Sequence, residues 1–325
     1  MHPAFSVIFL TTLIGVGQGL FLALYTGESY AVVELLPAQD QSFYVWGSVI
    51  AVGFLIAGLI SSIFHLGHPE RAWRSAARWR TSWLSREVIV LPTVIGAVAV
   101  YGGVHALGWD LSVIGIKTQL RGDLTLLIGL GGVVATFLLF LCTSMIYACI
   151  KFLQEWATPL TLINYTLLGV ASGFTFATAY ATYQAPHLVN FYGWWAIAIT
   201  ATALVTRSAS LYRNANLRRI SSLSTAIGVR DKRIKQRSMG FMGGSFNTRE
   251  YFHGASQLLF RSIKWIFMVM VFLIPISLLV IGMKNDSSSL LMSAFVVQYL
   301  GLIAERWFFF AQANHPQNLY YQTVG

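Results

Sequence analysis

Eight long, predominantly apolar runs divide this chain, and that pattern constrains its fold more than any other feature. Each run approaches or exceeds the roughly 20 residues that an α-helix needs to cross a hydrocarbon core about 30 Å thick. A soluble chain of 325 residues would break its apolar positions into short amphipathic stripes. Composition agrees: apolar residues make up 56% of the chain, charged residues only 10%, and the mean hydropathy is +0.63. Soluble globular proteins carry about 25% charged residues. A soluble protein is excluded.

The runs cover residues 4–26, 44–66, 87–107, 124–150, 159–183, 189–211, 260–283 and 290–313. They predict an all-α integral membrane protein, a bundle of eight transmembrane helices. Most connections are short and favour antiparallel neighbours. Residues 212–259 are the exception, a basic, polar loop far longer than a hairpin needs. The first run lacks a preceding Lys or Arg and is too long for a signal-peptide core, so it reads as a retained first helix. With no repeat or linker, residues 1–325 read as a single membrane domain.

Basic residues segregate by side. Of 22 Lys and Arg, eighteen fall at the ends or loops shared by the two termini, including Arg71, Arg74, Lys151, Arg207 and the 212–259 loop. Three fall opposite: Lys117, Arg121 and Lys284. Arg306 lies inside the last run. Six of the twelve acidic residues, Glu28 among them, lie on the basic-poor side. An odd number of spans would scramble this segregation. By the positive-inside rule both termini are expected in the cytoplasm. The net charge of +10 then points to anionic lipid and an acidic partner surface rather than nucleic acid.

The most informative segment begins His65-Leu66-Gly67-His68-Pro69-Glu70-Arg71 and runs to Glu87. Pro69 and Glu70 read as the first turn of a short helix after Gly67 ends the second span. Arg71, Arg74 and Arg78, spaced by three and four, are expected on one face. Trp73, Trp79 and Trp83 supply rings suited to head-group depth. This reads as an interfacial helix, with anchoring alone as the simpler alternative. His65 and Glu87 bracket it at the cytoplasmic boundary, where an ionisable group is costly. A quinone head group needs a hydrogen-bonding partner at each carbonyl and two protons for two electrons, a task that fits a His and a buried carboxylate. The expected pocket comprises His65, Glu87, Arg71, Arg74, Trp83 and Gln18, with His65 and Glu87 moving protons. The competing reading of Glu87 is a helix-start carboxylate paired with Arg86 or another arginine.

Other polar features are weaker. His65 and His105 are expected on opposite faces of the membrane and the remaining histidines fall outside the spans, so no bis-histidine haem is expected. Cys142 and Cys149, seven apart on one expected helix face, read as packing, and two thiols cannot hold an iron–sulfur cluster. No metal site is expected. Glu305 and Arg306, adjacent in the last span, must face the bundle interior. They favour an interhelical ion pair and need not pair with each other. Gln18, among Gly15, Gly17 and Gly19, either bridges helices or faces a head group. The cluster of Gly129, Gly131 and Gly132 reads as packing.

At these residues the chain resembles the DMSO reductase membrane-anchor subunit family (DmsC-like). The resemblance rests on His65-Leu66-Gly67-x-Pro69-x-Arg71-Ala72, Ser82-x-Leu84-Ser85-x-Glu87 and Glu305-x-x-Phe308-Phe309, with an eight-span layout along nearly the whole chain. It implies a membrane anchor assembled with a molybdopterin catalytic subunit and an iron–sulfur electron-transfer subunit. These would sit on the cytoplasmic side of a bacterial inner membrane, with ubiquinone or menaquinone as the cofactor and no haem. It also implies that positions matching His65 and Glu87 bind quinol and move protons. The long 212–259 loop departs from the shorter DMSO reductase anchors. The tail from Asn314 to Tyr321 looks more like anchors of cytoplasmic sulfite-oxidising complexes, which makes quinone reduction fed by sulfite oxidation the expected direction. Quinol oxidation for a sulfoxide-type reductase is the alternative. A transporter would also carry buried charges, but no inverted repeat or mid-span break is read, and Pro275 is taken as the only proline deep within a span.

Overall fold

A computed structural model describes residues 1–64, 66–111, 123–218, 222–230, 233–235 and 254–315. His65, Lys117, Arg121, much of the basic loop and the tail beyond residue 315 lie outside the described residues. Among the described residues, eight helices are long and apolar enough to cross a membrane. The helices are α1 Phe5–Val32, α2 Gln41–Ile63, α3 Trp83–Leu107, α4 Asp123–Ala148, α5 Pro159–Gln184 and α6 Val189–Ala215. A short α7 (Leu223–Ile227) follows, then α8 (Gln257–Met268) and α9 (Ile274–Lys284), joined through a π-helical turn, and α10 (Ser288–Ala311). Both described ends meet at one side of the bundle: the Met1 amine donates to the Ala313 carbonyl at 3.0 Å.

Glycine places α1 at the centre. A Cβ on Gly19 would overlap the Gly169 carbonyl oxygen, and one on Gly173 would overlap the α1 backbone at Gly19 and Leu20. α1 and α5 therefore touch backbone to backbone, the approach that small residues permit in membranes. Gly17 faces the Ala51 carbonyl of α2 in the same way. α2, α3 and α4 complete one flank, and α6, α8, α9 and α10 pack on the α5 side. Gly129 and Gly132 pack against Tyr25, Tyr101 and Phe21 as expected, whereas Gly131 faces open space.

The seventh span departs from expectation. A π turn at Val269–Leu273 interrupts it near mid-length. Pro275 has no N–H to give the Val271 carbonyl. Gln298 of α10 supplies a donor instead, its Nε2 lying 3.3 Å from that oxygen. The break is thus a proline accommodated by a neighbouring helix. Nor is Pro275 alone, because Pro92 lies inside α3.

Further corrections concern termini. α1 runs six residues past the expected end at residue 26 and carries Glu28 into the bundle interior. Arg207, counted among the surface positives, is buried inside α6. Cys142 is buried, but Cys149 lies beyond α4 and is exposed, so it does not share a packing role. The interfacial segment is a 3-10 helix, Pro69–Arg78. At three residues per turn Arg71 and Arg74 align while Arg78, seven positions on, rotates about 120° away.

Candidate functional site

Ser82 starts α3: its side chain accepts from the Ser85 amide at 3.4 Å, as an N-cap should. That start places Glu87 on the second turn of α3, buried inside the basic end of the bundle. Its carboxylate accepts a hydrogen bond from the Thr143 hydroxyl of α4 at 2.5 Å. Arg86 turns the other way. Its guanidinium donates to the carbonyls of Trp79 and Arg80 at 2.9 and 2.8 Å and stacks on Trp83 at 4.2 Å. The competing reading of Glu87 as an Arg86 ion pair is therefore not what folds. Arg86 instead pins the end of the 3-10 segment to α3 and covers the Trp83 ring.

The other expected pocket residues divide. Arg71 and Arg74 are exposed; Arg71 lies 3.7 Å from Glu70, and Arg74 sits 5.5 Å over the Trp73 ring. Pairs this exposed contribute little stability. Gln18 is buried and donates to the Thr136 carbonyl of α4 at 3.0 Å, so it takes the helix-bridging role. His65 lies outside the described residues.

Two features were not fully read from the sequence. The interhelical ion pair expected at Glu305 forms, with a partner that sequence reasoning missed: Arg207 of α6 lies 2.7 Å from the carboxylate, and the neighbouring Arg306 lies 3.4 Å from it. The Arg306 guanidinium lies 3.6 Å over the Tyr165 ring. Tyr165 in turn stacks on Tyr147 of α4, with centroids 5.7 Å apart. From helix rise, Glu87, Thr143, Tyr165, Glu305 and Arg207 all lie within about 6–12 Å of the basic helix ends. They form a lateral polar belt across five helices.

The second missed feature occupies the opposite end. Glu28 accepts from the Tyr101 hydroxyl at 2.6 Å, from the Thr125 hydroxyl, and lies 3.3 Å from His105 Nε2. Tyr44 stacks on His105 with centroids 4.4 Å apart. This cluster floors a cavity of about 1020 Å³ bordered by Leu36, Gln39 and Trp109. His105 is 18 residues beyond Glu87 on α3, about 27 Å along the helix. The carboxylate at the cavity's floor is already held by several donors and lies far from the basic end. To find this cluster from sequence, Glu28 would have to be paired with His105 across 77 positions of chain.

Outside the spans, burial pushes the Met1 amine down to about 6, with Glu155 opposing the shift. Burial likewise lowers His315 from its ordinary range. No group of three or more potential metal ligands occurs among the described residues.

Residues 1–312 match the family model described as DMSO reductase anchor subunit (DmsC). The chain is 55% identical over 324 residues to a subunit of the sulfite dehydrogenase of Allochromatium vinosum, covering all of both proteins. It is 30% identical over 164 residues to the anaerobic dimethyl sulfoxide reductase chain YnfH of Escherichia coli K12, covering 50% of this chain and 49% of that one.

Proposed function

From the premise that this chain belongs to the DMSO reductase anchor subunit family, we propose that it passes electrons and protons between a partner complex and membrane quinone. The partners are a molybdopterin catalytic subunit and an iron–sulfur subunit docked on the basic end. Sulfite oxidation supplies the electrons, a direction favoured by similarity along the whole chain to a sulfite dehydrogenase subunit. The match to a dimethyl sulfoxide reductase chain covers only half of it. The positive-inside rule assigns the basic end and both termini to the cytoplasm of a bacterium, with the bundle in its inner membrane.

The observation that carries this reading is Glu87: a buried carboxylate at the basic end whose hydrogen bond is to a neutral hydroxyl rather than a cation. Such a carboxylate can take and give a proton. In this reading ubiquinone or menaquinone binds between Glu87 and His65, with Trp83 and the Arg71–Arg74 row at the mouth. Bound quinone supplies the two-electron, two-proton acceptor. Glu87 holds a proton for one carbonyl and His65 for the other, while Arg86 keeps the covering segment in place.

The test is sulfite-driven reduction of a quinone analogue by the assembled complex. Glu87→Gln is expected to lower quinone turnover about 100-fold or more, the scale of a lost general acid–base group. Oxidation of sulfite with a water-soluble artificial acceptor should survive. Wild-type quinone turnover in the variant would overturn the role given to Glu87.

A further inference from the structure

Tyr147 sits at the end of α4, four residues after Thr143, so the two side chains share a helix face. Thr143 holds Glu87. Tyr147 is half-buried, one residue from the end of α4 at the basic boundary. Its ring packs among Trp156, Phe309 and Phe310, with centroids 5.3–5.6 Å away. Tyr165 stacks beneath it, and Arg306 lies 3.6 Å over the Tyr165 ring.

An aromatic cluster needs only rings, and Trp156, Phe309 and Phe310 already supply them. A hydroxyl in apolar surroundings costs free energy unless it has something to bond. Two stacked tyrosines, the first one helical turn from the threonine that holds Glu87 and the second under a cation, offer hydroxyls that can each accept and donate a proton. No cation lies against the Thr143–Glu87 bond among the described contacts, whereas Arg306 is placed to offset negative charge on the tyrosine pair.

Resting on the quinone reading above, we propose that Tyr147 is the proton relay between water at the basic end and Glu87, with Tyr165 and Arg306 as its positioning residues. Reduction of one quinone takes two electrons from the reduced iron–sulfur partner and two protons. As the proton held by Glu87 moves to the quinone oxygen, the Tyr147 O–H bond breaks and the Glu87 O–H bond reforms. Tyr147 recovers its proton from water at the helix end. Tyr165, held under Arg306, steadies the transient charge on the Tyr147 oxygen. The route runs along one face of the membrane, so quinone protons are taken from the basic side.

The experiment uses the assembled complex, with sulfite as donor and a quinone analogue as acceptor. Turnover is normalised to complex present in the membranes. Tyr147→Phe keeps the ring and removes the hydroxyl. Its kcat is expected to fall about tenfold, a loss at the lower edge of proton-transfer effects, with KM for quinone unchanged. The solvent deuterium isotope effect on kcat should rise, a readout that a packing role would not move. Tyr165→Phe gives an independent reading of smaller size in the same direction. Wild-type kcat and isotope effect in both variants, with Glu87→Gln inactive, overturns the relay and leaves the quinone reading standing. Full activity of Glu87→Gln overturns the quinone reading itself.

Discussion

Glu28 and Glu87 are both buried carboxylates, held at opposite ends of the same bundle, and their surroundings differ in kind. Glu28 has three partners from two helices: Tyr101 and His105 on α3 and Thr125 on α4. A carboxylate gripped in this way has its acceptor oxygens committed to the fold. It stitches α1, α3 and α4 together. Glu87 has the Thr143 hydroxyl. It keeps acceptor capacity to spare, and it lies at the end where the basic residues gather. Burial alone therefore does not identify a working carboxylate; the number and charge of its donors does.

Glu305 is the third case, and it marks the structural extreme. With two arginines against it, Glu305→Ala strands two buried cations, a change expected to cost about 3–5 kcal/mol. The complex should then fail to accumulate in membranes. Normal accumulation would place this cluster outside the stabilising core. Glu28→Ala leaves three donors without an acceptor and should cost about 1–3 kcal/mol. Its thermal midpoint in detergent should fall while quinone turnover per assembled complex stays unchanged. An unshifted midpoint would remove the contrast with Glu87. Gln298→Leu tests a smaller stitch by removing the side-chain donor to the Val271 carbonyl beside Pro275. It should cost about 1 kcal/mol, read as a modest fall in the same midpoint.

The smallest expected effect is at the Met1 amine. Its ordinary value is 8.0, and burial against α10 lowers it to about 6. Between those values the folded chain holds the amine neutral while the unfolded chain binds a proton. Stability therefore rises with pH between about 6 and 8 and is flat below about 6, where folded and unfolded chains both carry the proton. Acylation rate against pH should show a midpoint near 6. A midpoint near 8 would mean the amine is solvated.

The eight spans were legible because hydropathy is a local property summed over about twenty residues. Their charged ends were not. Glu28 read as loop because a carboxylate normally marks a span's limit, and the donors that make its burial tolerable come from distant helices. Arg207 was misplaced for the same reason, since its partner Glu305 lies 98 residues further on. Glu87 was legible because it falls at a span boundary beside a recognisable motif. Its freedom from Arg86 was not, because that depends on where the Trp79 and Arg80 carbonyls turn. The 3-10 winding of Pro69–Arg78 was hidden as well, because spacings of three and four fit an α-helix equally well.

The central claim is that Glu87 works and Glu28 holds. It is tested most directly by comparing quinone turnover per assembled complex for Glu87→Gln and Glu28→Gln, prepared side by side with sulfite as donor. Glu87→Gln should lose about 100-fold or more, with artificial-acceptor activity intact, while Glu28→Gln keeps wild-type turnover. Equal losses in the two variants, or loss only in Glu28→Gln, would contradict it.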